Sequence, residues 1–100
     1  MLTGKEKGYL RSLGHHLQPV MQIGKSGLAE NFVNTFCDAL EAHELIKISV
    51  LQSCMESKED LSQILCQETN CDLVQIIGSQ LIFYKQTTKE NKADKIILPR

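Results

Sequence analysis

A chain of 100 residues with 42% apolar and 23% charged side chains can bury one core, but it cannot house separate catalytic and substrate domains. No apolar run is long enough to span a membrane, and Met1-Leu2-Thr3-Gly4-Lys5 lacks the apolar stretch of a signal peptide, so a cytoplasmic location is expected. The net charge of −1 hides two basic ends and an acidic middle: residues 1–27 carry +3, residues 28–72 carry −7 and residues 73–100 carry +3.

Thr3-Gly4-Lys5-Glu6 has the form of a capping box and starts a helix that runs to about Leu17. Leu10, Leu13 and Leu17 form its buried stripe. Lys7, Arg11 and His15, spaced i, i+4, i+8, lie on the opposite face. Pro19 ends the helix, and Val20 to Ile23 form a short strand. From Leu28 to His43 the period is helical again. Leu28, Ala29, Phe32, Phe36, Ala39 and Leu40 make one apolar arc, which His43 joins near the C-terminus, and Glu30, Asp38 and Glu41 face away from it.

Leu45 to Leu51 reads as a strand with Ile46, Ile48 and Val50 on its buried face and Lys47 and Ser49 on the other. Ser57-Lys58-Glu59-Asp60 caps a third helix whose apolar side is Leu61, Ile64 and Leu65 and whose C-terminal end suits Asn70. Two further strands, Asp72–Ile77 and Gln80–Lys85, flank Gly78-Ser79, a hairpin turn with glycine first, as type II′ requires.

The fold class is therefore α+β: a two-layer arrangement of helices on a mixed four-stranded sheet, in the order α-β-α-β-α-β-β, with parallel pairs across the helices and a closing hairpin. Residues 1–86 form the folded domain. Residues 87–100 form a polar arm whose terminal Ile96-Ile97-Leu98-Pro99-Arg100 is expected to dock on the sheet.

Gln22-Ile23-Gly24-Lys25-Ser26-Gly27-Leu28 joins the first strand to the second helix. Glycines around two polar residues let the backbone approach a ligand closely, and a helix opening just beyond presents free N–H groups that favour an anion. Lys25 adds a mobile cation, a combination suited to a phosphodiester backbone. Neither G-x-x-x-x-G-K-[ST] nor G-x-G-x-x-G occurs, and the motif holds no carboxylate, histidine or cysteine to act as base or nucleophile. An enzyme, a small-molecule substrate and a cofactor are not expected. Cys37, Cys54, Cys66 and Cys71 include no C-x-x-C pair, so no metal site is expected; Cys37 and Cys66 read as small hydrophobes in a reducing compartment.

Five ordered blocks, Leu17-Gln18-Pro19-Val20, Ile23 to Leu28, His43 to Ile48, Gln75-Ile76-Ile77-Gly78 and Leu98-Pro99-Arg100, resemble the bacterial YhbY proteins. These are single CRM domains (chloroplast RNA splicing and ribosome maturation). The resemblance implies a fold similar to the C-terminal domain of translation initiation factor three, a Gly-x-x-Gly loop comparable to that of KH domains, and association with precursors of the large ribosomal subunit. It places Gly24, Lys25, Ser26 and Gly27 in an RNA-contacting loop and Lys47 at a basic strand position. The function expected is non-enzymatic RNA binding in ribosome assembly, with ribosomal RNA as partner and Lys7, Arg11, Lys47 and Lys85 extending the positive surface. The alternative is a protein-binding adaptor whose acidic face, Glu30, Asp38 and Glu41, docks on a basic ribosomal protein.

Overall fold

The computed structural model describes residues 4–25, 27, 28 and 30–85. Its elements are α1 (Gly4–Gly14), β1 (Pro19–Ile23), α2 (Glu30–His43), β2 (Leu45–Val50), α3 (Lys58–Thr69), β3 (Asp72–Ile77) and β4 (Gln80–Tyr84). The order is the one the periodicities predict. The arm expected at 87–100 and the block Leu98-Pro99-Arg100 lie outside the described residues, as do Ser26 and Ala29.

The four strands form one sheet in the order β1-β2-β4-β3. β1 runs parallel to β2, and β4 pairs antiparallel with both β2 and β3. Only one parallel pair is hydrogen-bonded, against the parallel pairs expected across both crossover helices. The connection from β2 through α3 carries β3 one strand too far to touch β2, and the hairpin folds β4 into the gap. Gly78 has φ +54° while Ser79 does not enter the positive region, so the turn has the pattern of type II′.

Helices cover both faces, one layer more than a two-layer arrangement provides. On one face, α2 and α3 bury Phe36, Leu40, Leu61 and Leu65 against Ile23, Ile46, Ile48, Leu81 and Phe83. Phe36 meets Phe83 edge to face at 5.1 Å and lies near-parallel to Phe32 at 6.3 Å, so these rings belong to the core; truncating Phe36 would cost about 3–5 kcal/mol. On the other face, α1 lays Leu10 on Leu45, Val74, Ile82 and Tyr84, with Leu13 and Leu17 beside them. Gly14 makes this close approach possible, because a Cβ there would come within 2.6 Å of Ile82 Cδ1. Past Gly14 the helix tightens, with His16 N–H donating to Leu13 O and Leu17 N–H to Gly14 O, and this carries the chain to Leu17.

Local signals set the helix ends. Ser57 caps α3 by accepting the Asp60 N–H at 3.1 Å, and Asn70 closes it in the left-handed region at φ 57°, donating to Cys66 O at 2.9 Å. α2 begins at Glu30, two residues after the expected Leu28, and ends at His43, followed by Glu44, buried at φ 62°. Three side chains differ from expectation. Ile64 is 38% exposed, because Leu61 and Leu65 already fill the space under α3. His43 is exposed and outside the core, at the last turn of α2. Lys47 is only 6% exposed, since α1 covers the face of β2 that alternation alone assigns to solvent.

Candidate nucleic-acid interface

The C-terminal ends of β1 and β2 lie side by side, with Ile23 opposite Val50, so the segments that follow them must leave the sheet together. Leu51 N–H donates to Ile23 O at 2.8 Å, and Val50 N–H donates to Ser79 O at 2.7 Å, which brings the hairpin turn to the same end. Lys58 Nζ donates to Gly78 O and ties the start of α3 to that turn. Three connections thus converge: the glycine loop after β1, residues 51–57 after β2, and Gly78-Ser79. Ligands of open sheets with parallel strands characteristically bind outside such carboxyl ends.

Gly27 N–H donates to Gly24 O at 3.0 Å and closes the glycine loop into a four-residue turn. The two glycines do different work there. Gly27 sits at φ +65°, a conformation L side chains rarely adopt, and a Cβ would lie 2.5 Å from Glu56 Oε1. Gly24 has no such backbone demand, and its nearest neighbours, Leu51 Cδ1 and Ser53 Oγ, would stand 3.6 and 4.0 Å from a Cβ. Lys25 is exposed at the first corner of the turn. Beside the loop, Leu51, Gln52, Cys54, Glu56, Ser57, Lys58 and Ser79 line a cleft of about 290 Å³.

The sequence-derived basic residues do not gather at this end. Arg11 is exposed on α1 and its Nε reaches the Val74 carbonyl, 3.5 Å away, at the irregularity of edge strand β3. Lys25 follows the opposite edge strand, β1. Three strand spacings separate β1 from β3, roughly 14 Å. Lys7 is half-buried one helical turn before Arg11. Lys47 faces α1 and, with Leu13, Leu17, Val20, His43 and Leu45, lines an apolar groove of about 460 Å³, larger than the cleft beside the glycine loop and at the start of β1 and β2. Lys85 lies at the other end of the sheet, where its N–H donates to Glu44 O at 2.9 Å. Lys58 is a cation that the structure brings to the same end of the sheet as Lys25. Sequence reasoning read it only as part of a helix cap, and its one long-range clue was the parallel pairing that brings two successive loops together. Among the described residues, no group of three or more His, Cys, Asp or Glu side chains is arranged to hold a metal ion.

Residues 2–85 match the profile of the CRS1/YhbY (CRM) domain. The chain belongs to this family. A Bacillus subtilis relative named "Probable RNA-binding protein YqeI" is 50% identical over 92 residues, which span 92% of this chain and 95% of YqeI. A Haemophilus influenzae relative named "RNA-binding protein" is 37% identical over 99 residues, 99% of this chain and 96% of its own. The solution structure of SAV1595 from Staphylococcus aureus superposes with a TM-score of 0.79 at 48% identity, covering 99% of this chain and all of SAV1595. Both of these sequence relatives carry RNA-binding names rather than enzymatic ones.

Proposed function

We propose that this CRM protein is a cytoplasmic RNA-binding protein that engages precursors of the large ribosomal subunit through its glycine loop. The observation that carries the reading is the closed Gly24–Gly27 turn, with exposed Lys25 at its corner, standing between the end of β1 and the start of α2. A turn of this form directs backbone donors outward, and the following helix adds the positive end of its dipole. Phosphates of the RNA backbone bind the loop from Gly24 to Gly27, Lys25 pairs with one of them, and Lys58 extends the positive charge along the cleft. Lys7 and Arg11 form a second basic face on α1, which a longer RNA reaches around the sheet. Lys47 and Lys85 are given no contact, because one is enclosed by α1 and the other lies at the far end. Shape and backbone dominate over base reading, since the core encloses Phe36, Phe83 and Tyr84 and leaves no stacking platform at the loop.

The test is binding to large-subunit ribosomal RNA fragments across a salt series, comparing wild type with Lys25→Ala and Gly24→Asp. Loss of one phosphate contact in Lys25→Ala should flatten the log–log salt slope by about 0.7–0.9, and Gly24→Asp should abolish binding while the fold persists. Wild-type binding and slope in both variants would remove the loop from the interface. Loss of ribosomal association on charge reversal of Asp38 and Glu41, with RNA binding intact, would move the adaptor reading to first place.

A further inference from the structure

Two of the four free cysteines lie against each other. Cys66 occupies the last full turn of α3, and Cys71 immediately precedes β3. A helix continued through residue 71 would carry it away from that turn, at 1.5 Å per residue. Asn70 prevents this: at φ 57° and ψ 36° it reverses the chain and tucks Cys71 back beneath the helix end. The two sulfurs stand 3.8 Å apart, and Cys71 Sγ is also 3.8 Å from Leu65 O. A disulfide needs about 2.05 Å, so the sulfurs have roughly 1.8 Å to close before they bond.

The two thiols are not equivalent. Cys66 is half-buried and open to a small solute, whereas Cys71 is only 6% exposed. The Cys71 S–H donates toward Cys66 Sγ, which lowers the Cys66 pKa from its ordinary value against the opposing effects of burial and the Asp72 carboxylate. The same bond, with burial, pushes the Cys71 thiol up. Cys66 is thus the nucleophile and Cys71 holds its proton in reserve. Cys54 has no such arrangement, its Sγ facing the Glu56 carbonyl at 3.9 Å.

We propose that Cys66 and Cys71 are a peroxide-reactive thiol pair that closes reversibly to a disulfide at the α3–β3 junction. The Cys66 thiolate attacks a peroxide oxygen and the O–O bond breaks. Hydrogen peroxide leaves one oxygen on Cys66 as a sulfenic acid and releases the other as hydroxide, which takes up a proton to become water. The Cys71 sulfur then attacks Cys66 Sγ, and the sulfenic oxygen departs as a second water carrying the Cys71 proton. Two thiols have lost two protons and two electrons, and one peroxide has been reduced to two waters. A dithiol reductant reverses the bond by exchange.

The experiment treats the full chain with hydrogen peroxide, counts thiols after denaturation and maps the products by mass after cleavage on the C-terminal side of glutamate. Cleavage at Glu68 falls between the two cysteines. The expected result is a fall from four thiols to two, a mass loss of two hydrogens, and fragments on either side of Glu68 that stay joined until dithiothreitol is added. In Cys71→Ser the Cys66 fragment should gain oxygen instead, and Cys66→Ser should keep its three thiols under the same exposure. Four thiols surviving in wild type, a disulfide through Cys37 or Cys54, or oxygen added to Cys66 beside a free Cys71 would each overturn the proposal. The wild-type map alone decides the matter if either serine variant fails to fold.

Discussion

The two glycines of the loop are identical in the sequence motif, yet they should respond to alanine in opposite directions. At Gly27, φ +65° forces a Cβ into the left-handed region, which costs an L residue about 1–2 kcal/mol. The Cβ would also meet Glu56 Oε1 at 2.5 Å, but Glu56 is exposed and its flexible end can swing away, so that contact adds little. At Gly24 the backbone makes no such demand and a Cβ finds ordinary contact with Leu51 Cδ1 at 3.6 Å. Alanine there restricts the unfolded chain and is expected to be neutral or to stabilise by about 0.4–1 kcal/mol. The pair should therefore differ by about 1–3 kcal/mol. In urea, with an m-value near 1 kcal/mol/M for a chain of this size, their midpoints followed by circular dichroism should separate by at least about 1 M. Gly27→Asn, which tolerates the left-handed region better, should recover part of the loss. Equal midpoints for the two alanine variants, or an asparagine variant no better than alanine, would refute the backbone argument. Gly24→Ala then becomes a clean probe of the interface, because any fall in RNA affinity comes without a fall in stability.

Gly14→Ala should destabilise by about 1–3 kcal/mol despite alanine's better helix propensity, because fully buried Ile82 stands 2.6 Å from the new Cβ; a melting temperature at or above wild type would contradict the close packing of α1. Burial, and after it the nearby carboxylates of Glu44, Glu6 and Asp72, hold the Tyr84 phenol pKa above the ordinary 10. Above about pH 10 the unfolded chain loses a proton that the folded chain keeps, so stability should fall as pH rises from there, and melts of Tyr84→Phe should lack that share of the decline. Lys47→Met keeps the enclosed stem and removes a charge, so denaturation should show equal or higher stability and RNA titration an unchanged affinity; a clear affinity loss would place Lys47 in the interface. Glu56→Gln removes a carboxylate lying against the loop, and with a charge–charge energy of about 1 kcal/mol at 4 Å in water, RNA affinity should rise about fivefold at low salt and less at high salt.

Features written in a few adjacent residues were legible in the sequence. Ser57 and Asn70 bound α3 through their own side chain and backbone, and Gly78 alone supplies the positive φ of the hairpin turn. Strand order was not legible, because nothing local to β3 or β4 says which of them will sit beside β2. The burial of Lys47 escaped for a related reason. Ile46, Ile48 and Val50 announce one buried face, and the helix that covers the other face lies more than thirty residues earlier. A fuller clue lay in the leucine stripe of α1, which needs an apolar surface of its own, and in Val74, Ile82 and Tyr84, which supply it. At the candidate interface the glycine turn was legible as a motif, whereas the approach of Glu56 and Lys58 to it depends on the parallel register of β1 and β2.

That register also determines what kind of binding this end of the sheet can support. Lys25 and Lys58 are brought to the glycine loop together with Glu56, Glu59 and Asp60, so the local charge is mixed and not strongly positive. Affinity driven by counterion release scales with the number of phosphates neutralised, and two cations among three carboxylates can neutralise few. Under the proposed function, specific contact must then come from what salt screens least: hydrogen bonds from the loop N–H groups and the shape of the cleft. Groups held rigid before binding lose little freedom on complex formation, so they gain most from an RNA surface that is itself already folded. Under the proposed function a folded subunit precursor would offer such a surface, whereas a flexible single strand would need a broad positive field that the described residues do not assemble in one place.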